Sequence, residues 1–345
     1  MPLPNEYPAN PVLLQAVMSH TGLPKEEALK PHVLRQFFKE QAAFFPVADA
    51  VREHKHIPIG DRQLELVIVR PPKSENQILP IILFLYVSEI KYDPPADPHF
   101  FFVALAVDSH GGGFFIGGIE THGILVHELA RRTPAVVVHV EYSHSPEVKH
   151  PVAMEECYKT LEWINANAAA IGGDPSKLAV VGDSAGGNMV AAITALAKER
   201  GNTSINAQVL LYPMLGTDFS TDSYETYQKD SYLPRVLMKY VWNMYLTEEA
   251  KTSRFAVPLL ATPEQLEDLP PALVITAERD VLRDDGETYT KKLRKAGVDT
   301  VALRYFGVRH GFFTEPEITE TADAGIDQIV SFLNKKWGLD ASSKL

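Results

Sequence analysis

From residue 51 onward, short apolar runs alternate with longer amphipathic stretches. The runs Leu64–Arg70, Ile81–Tyr86, Ala135–Val140, Leu178–Gly182, Ala207–Tyr212, Ala272–Ala277 and Val301–Phe306 read as β-strands. Several are apolar at consecutive positions, as strands covered on both faces must be. His54 and His56 alternate on a further expected strand, where both should be exposed. Helical periodicity predicts helices over Thr121–Arg132, Val152–Ala169, Asn188–Arg200, Asp285–Ala296 and Ala322–Trp337. Such alternation predicts an α/β fold, a mostly parallel sheet with helices on both faces. Two regions break the rhythm. Residues 1–50 are helical in pattern and carry the pairs Phe37/Phe38 and Phe44/Phe45; residues 213–260 hold Tyr224, Tyr227, Tyr232, Tyr240, Trp242 and Tyr245 without a strand. Aromatic stripes outside the sheet pattern are expected to form a cap over a pocket.

Composition narrows the choices. A chain of 345 residues can bury a large core. A formal charge of −11 argues against a nucleic-acid surface, which needs concentrated Lys and Arg. No apolar run is long enough to span a bilayer, and the first ten residues lack the pattern of a signal peptide, so a cytoplasmic protein is expected. The single cysteine, Cys157, lies in a helical stretch and reads as a core residue. His122 and His127 are five apart and do not share a helical face as a metal pair would, and no ligand cluster suggests a metal. His144 is expected to make a loop hydrogen bond.

After the run ending at Gly182 the chain reads Gly182-Asp183-Ser184-Ala185-Gly186 and enters a helix. G-x-S-x-G between strand and helix is the setting of a nucleophile elbow, in which a tight turn exposes the Ser184 hydroxyl. A serine hydroxyl needs a base, and the base an orienting carboxylate, in the chain order Ser, acid, His. His310 is the one histidine after Ser184. Among Glu278, Asp280, Asp284 and Asp285, Asp280 falls a few residues past a strand end and is expected to be the acid. Asp284 and Asp285 fit better as N-cap and first-turn charges of the following helix. The glycines of "HGGG", His110 to Gly113, leave backbone N–H groups unobstructed. With the N–H of Ala185, those of Gly111 and Gly112 are expected to form an oxyanion hole, His110 bracing the loop.

In order along the chain, "HGGGFFIGG", "VEYSHSPEVKHPVAMEE", "GDSAGGN", "DVLRDDGETY" and "RHGFF" resemble the hormone-sensitive-lipase-like group of α/β-hydrolase carboxylesterases. The likeness covers roughly residue 64 to the C-terminus. It implies an eight-stranded, mostly parallel sheet over residues 51–345, with a canopy from cap helices in residues 1–50 and a cap insertion at about 213–260. It also implies ester hydrolysis without metal or cofactor. Val281 stands where the group usually has proline, and Asp285 where it usually has Glu. One departure is large: in the group the strand equivalent to Ile81–Tyr86 runs almost directly into the glycines, whereas here Val87–Ser109 intervenes. Two readings stay open, a short intron retained in frame and a genuine insertion forming a surface excursion.

The expected function is a serine carboxylesterase acting on short- to medium-chain acyl esters. Its substrate pocket is expected to include Phe37, Phe38, Tyr227 and Tyr232. The partners expected are a small-molecule ester, no nucleic acid and no membrane span, with a homodimer as an open assembly. The alternatives are a deacetylase or lactonase of secondary metabolism, and a non-catalytic or impaired small-molecule receptor on the same fold.

Overall fold

The computed structural model describes residues 18–23, 33, 36, 51–87, 112–115, 118–228, 233–314 and 318–339. Eight strands form one sheet: β1 (Val51–Ile59), β2 (Arg62–Arg70), β3 (Leu79–Val87), β4 (Val136–Tyr142), β5 (Gly173–Asp183), β6 (Ile205–Leu211), β7 (Ala272–Arg279) and β8 (Thr300–Arg309). Their spatial order is β1-β2-β4-β3-β5-β6-β7-β8. β1 and β2 form an antiparallel hairpin, β2 meets β4 antiparallel, and every later pairing is parallel. This is the α/β-hydrolase fold.

The helices are α1 (Ile119–Arg132), α2 (Val152–Asn167), α3 (Ala185–Glu199), α4 (Asp222–Tyr227), α5 (Arg235–Tyr245), α6 (Pro263–Leu266), α7 (Arg283–Lys295) and α8 (Glu320–Lys336). Because side chains alternate along a strand, the central strands feed two cores. Ile81, Leu83, Leu85, Val136, Val138, Val140 and Val180 pack with α2, α3 and α5 on one face. Ile82, Phe84, Val137, Val181, Val209 and Ile275 pack with α1 and α8 on the other. Each fully buried Val, Leu or Ile contributes about 1.5–3 kcal/mol, so an apolar run with no polar break is stable only in the middle of the sheet. At the edges the pattern thins. β1 buries only Ile57 and Ile59, with His54 and His56 exposed as the alternation requires, and β8 leaves Phe306 69% exposed.

Several boundaries differ from those read in the sequence. β5 begins five residues before Leu178, at Gly173, because the backbone of β3 offers it partners at Leu79 and Pro80. β3 continues through Val87, which pairs with Tyr142, so the inserted segment starts after Val87 rather than at it. Residues 88–109, together with Gly111, Phe37, Phe38 and Tyr232, lie outside the described residues. Of the N-terminal region, Val33 is buried in the first of these cores, and Met18 and Leu23 pack against that core. The stretch after Tyr212 joins the same core through Tyr224, Leu237, Val241, Trp242 and Tyr245. Cys157 is fully buried on α2, and burial pushes its thiol pKa well up, consistent with a packing residue.

The crossing of β5 with α3 sets a tight backbone-to-backbone packing constraint. A Cβ on Gly182 would lie 2.5 Å from the carbonyl oxygen of Gly186 and 2.9 Å from that of Leu85. Neither oxygen can swing aside as a side chain would. Gly182→Ala is therefore expected to lower the unfolding free energy by about 1–3 kcal/mol, read as a lower urea midpoint at unchanged slope. An unaltered midpoint would show that the strand and helix can separate at no cost.

Candidate active site

Ser184 occupies the residue between β5 and α3, with φ 55° and ψ −115°. A non-glycine residue in this region costs on the order of 1–3 kcal/mol and persists only where its surroundings fix it. Here they do. Its N–H donates to the Leu211 carbonyl of β6 (2.9 Å), and its own carbonyl accepts from Met214 N–H (3.0 Å) and Asn188 N–H (3.2 Å). The helix axis can come this close because Gly187 packs on Pro213, where a Cβ would sit 2.7 Å from the proline Cβ. α3 therefore begins at Ala185, three residues before the amphipathic pattern suggested. As the first residue of the helix, Ala185 carries an N–H for which no carbonyl one turn back is available.

The structure brings three of the expected residues together. His310 Nε2 lies 2.8 Å from Ser184 Oγ, and His310 Nδ1 lies 2.7 Å from Asp280 Oδ2. All three are buried, at 2%, 1% and 0% exposure for Ser184, His310 and Asp280. They come from three separate strand ends, those of β5, β7 and β8, because parallel strands finish at one edge of the sheet. The other oxygen of Asp280 accepts the Leu282 N–H (2.9 Å), which fixes the carboxylate's rotation. The Tyr212 ring flanks the imidazole at 4.7 Å between centroids.

The remaining expectations fare differently. Asp284 is not an N-cap: that place belongs to Leu282, and the Asp284 carboxylate reaches sideways to accept the Ser223 N–H (2.7 Å). Asp285 stands in the first turn of α7, yet it is a tether rather than a solvent-facing charge. Its Oδ2 accepts the N–H groups of Leu215 (3.0 Å) and Gly216 (2.8 Å), buried at 2% exposure. The sequence position gave only helical phase; the partners are some seventy residues away and invisible in it. Tyr227 ends α4 half-buried, with the Arg283 guanidinium 5.3 Å over its ring. Gly112 is buried and opens a turn in which its carbonyl accepts the Phe115 N–H (2.8 Å). His122 and His127 point to different partners, Asp183 at 3.4 Å and Arg52 at 2.9 Å.

Two polar residues that the sequence reading passed over also matter. Asn188 donates to the carbonyls of Met214 (2.9 Å) and Ala256 (3.1 Å), stitching α3 to the segment after β6. Glu156, buried on α2, accepts the N–H and hydroxyl of Ser143 (2.7 and 2.8 Å) and pairs with Arg62 (2.8 Å). A Glu at a core-facing helical position was the available signal for it. A cavity of about 320 Å³ opens among Thr217, Phe219, Lys239, Trp242, Asn243, Leu246 and Lys251. Among the described residues no cluster of His, Cys, Asp or Glu could hold a metal, and no helix is long and apolar enough to cross a membrane.

Residues 106–314 match the α/β-hydrolase-fold family. An arylesterase of Saccharolobus solfataricus is 34% identical over 233 residues, covering 67% of this chain and 75% of that protein. An ethyl acetate hydrolase of Pseudomonas putida is 31% identical over 247 residues, covering 71% and 77%. In three dimensions the chain is similar to a fungal esterase of Rhizomucor miehei, with a TM-score of 0.81 and 37% identity over 96% of this chain and 98% of that one. The chain belongs to the α/β-hydrolase family, in its hormone-sensitive-lipase-like carboxylesterase group.

Asp285 yields a pH prediction. Burial, with the nearby Asp280 and Asp284 charges, raises its pKa to about 7 against the opposing pull of the two backbone N–H groups. The native state thus holds this proton more tightly than the unfolded chain. The resulting stabilisation is full below about pH 4 and is lost as pH rises through about 7, up to about 4 kcal/mol. Urea unfolding of the wild type and of Asp285→Asn at pH 5 and pH 8 should show a smaller difference in the variant. Equal pH dependence in the two proteins would mean that Asp285 titrates in the fold as it does in water.

Proposed function

We propose that this carboxylic ester hydrolase cleaves short- to medium-chain acyl esters through an acyl-enzyme on Ser184. The observation that carries the reading is the buried line of two short hydrogen bonds, Ser184 Oγ to His310 to Asp280. Ser184 Oγ attacks the ester carbonyl carbon while His310 Nε2 takes its proton. Asp280 holds Nδ1 as the donor and so keeps Nε2 as the acceptor. Charge builds on the former carbonyl oxygen, and the N–H groups of Ala185, Gly111 and Gly112 are its donors in this reading. His310 then protonates the departing alcohol. A water molecule, deprotonated by the same imidazole, attacks the acyl carbon and releases the acid.

The preference for modest acyl length rests on the cap. In this reading the aromatic residues Phe37, Phe38, Tyr227 and Tyr232 are assigned to the pocket and limit the acyl chain it takes. A deacetylase or lactonase would use the same steps on a different ester. A receptor function on this fold has no support in a site that keeps nucleophile, base and acid in register.

Ser184→Ala should abolish hydrolysis of p-nitrophenyl butyrate with the thermal midpoint little altered, since one hydroxyl is removed. Asp280→Asn should lower kcat by about 10³–10⁴-fold by reversing the imidazole tautomer. Asp284→Asn keeps an acceptor for Ser223 and should change kcat by less than about threefold. A larger loss at residue 284 than at residue 280 would overturn the choice of acid.

The inserted segment has its own test. Lengthening a connection costs little stability, about 0.6 kcal/mol per doubling, so a fold can tolerate residues that add nothing to it. A variant lacking residues 88–109 joins Val87 to His110 as the family pattern does. It is expected to retain or raise esterase activity at equal or higher stability. Unfolding or loss of activity would show that the segment is a working part of the protein and that the intron reading is mistaken.

A further inference from the structure

The turn of Gly112–Phe115 is held from its downstream side, and a cap helix does the holding. Gly113 and Phe114 both take left-handed backbone, with φ 50° and 63°. Such a turn keeps its shape only when its side chains and carbonyls are gripped. The Phe114 carbonyl accepts the Ser145 N–H at 2.8 Å. The Phe114 ring lies flat on Tyr245 of α5, centroids 3.8 Å apart and planes 7° apart, with Trp242 at 6.0 Å. Val241, one helical turn before Tyr245, sits so close that a Cβ on Gly113 would meet its methyl groups at 3.2 and 3.3 Å.

The end of α5 is fastened in turn. Tyr245 accepts the His150 N–H on its backbone carbonyl (2.9 Å), and its hydroxyl lies 3.2 Å from His150 Nδ1. Lys149 Nζ donates to the carbonyls of Asn243 (2.7 Å) and Leu246 (2.9 Å), groups a helix C-terminus would leave unpaired. The strip carrying Lys149 and His150 also carries Ser145 and starts at Ser143, which buried Glu156 fixes. Turn, cap helix and strip thus form one closed clamp, and none of its contacts passes through β3.

We propose that Tyr245 is a positioning residue for ester hydrolysis: its stack on Phe114 sets where the glycine-loop N–H groups stand when the oxyanion forms. The inference rests on the proposed acyl-transfer reading. It makes the cap part of the oxyanion machinery as well as the wall of the pocket. A misplacement near 1 Å can cost about 100-fold in rate, so loosening one ring contact should be visible in kcat.

The test compares wild type, Tyr245→Phe, Tyr245→Ala and Val241→Ala, with p-nitrophenyl butyrate as substrate and rates expressed per active site titrated. The second probe is an alkyl trifluoromethyl ketone. Ser184 Oγ adds to its carbonyl carbon, the serine proton passes to His310, and the carbonyl electron pair becomes a hemiketal oxyanion facing the glycine loop. Tyr245→Phe keeps the stack and should stay within about threefold of wild type. Tyr245→Ala should lower kcat about 10–100-fold with KM moved less than about threefold, and weaken ketone binding by a matching factor. Val241→Ala, the milder change, should shift both in the same direction and serves if Tyr245→Ala does not fold. A fall in melting temperature with kcat and ketone affinity unchanged would make the stack merely structural and overturn the proposal. So would a rise in KM alone. Retained hydrolysis in Ser184→Ala would instead overturn the acyl-enzyme reading itself.

Discussion

The site depends on the close crossing of β5 and α3 at Ser184. A serine with φ 55° is strained, and the strain is held because Gly182 and Gly187 let the helix backbone and Pro213 come within a distance that any Cβ would forbid. Three main-chain hydrogen-bonding partners, Leu211 on β6, Asn188 on α3 and Met214 in the segment after β6, complete the hold. The consequence is chemical. The same turn places Ser184 at the end of β5 and opens α3 at the next residue, Ala185. One steric constraint therefore fixes the Ser184 side chain and the start of α3 in one relation, which the proposed mechanism uses.

Around that turn, buried polar groups do work that apolar packing could not. Asp285, Asn188 and Glu156 each satisfy main-chain groups of segments far away in the chain. Backbone amides buried without partners would cost on the order of 1–3 kcal/mol each. These side chains remove that cost and, because hydrogen bonds are directional, choose one arrangement of the loops among many that would bury similar area. The segment after β6 is thus located relative to the sheet by Asp285 and Asn188, and the strip after β4 by Glu156. The clamp on Phe114 sits where these located pieces meet.

Much of this was legible in the chain. The parallel core strands announced themselves because burial on both faces demands consecutive apolar residues. The turn at Ser184 was legible because it needs small residues on either side, and a local steric demand leaves a local motif. His310 could be found because it is the one histidine after Ser184, and Asp280 because a strand end lay just before it. What was not legible shares one property: it depends on who sits across the gap. The edge strand β1 could be expected from the alternation at His54 and His56, but its register against β2 could not. β5 gained its first residues from the backbone of β3, which offers hydrogen bonds to any sequence.

Asp284 and Asp285 mark the boundary between the two kinds of knowledge. Sequence read them as N-cap and first-turn charges of a helix, and both lie in its first turn, the N-cap being Leu282. Only the fold decided that one faces Ser223 and the other the amides of Leu215 and Gly216. The sequence by itself determined the fold class, the turn that holds Ser184 and the chemical types expected beside it, because propensity, periodicity and sterics act between neighbours. The tertiary structure alone decided which distant amides a buried carboxylate would satisfy and which ring would lie on Phe114, because those energies exist only once segments far apart in the chain share one desolvated space.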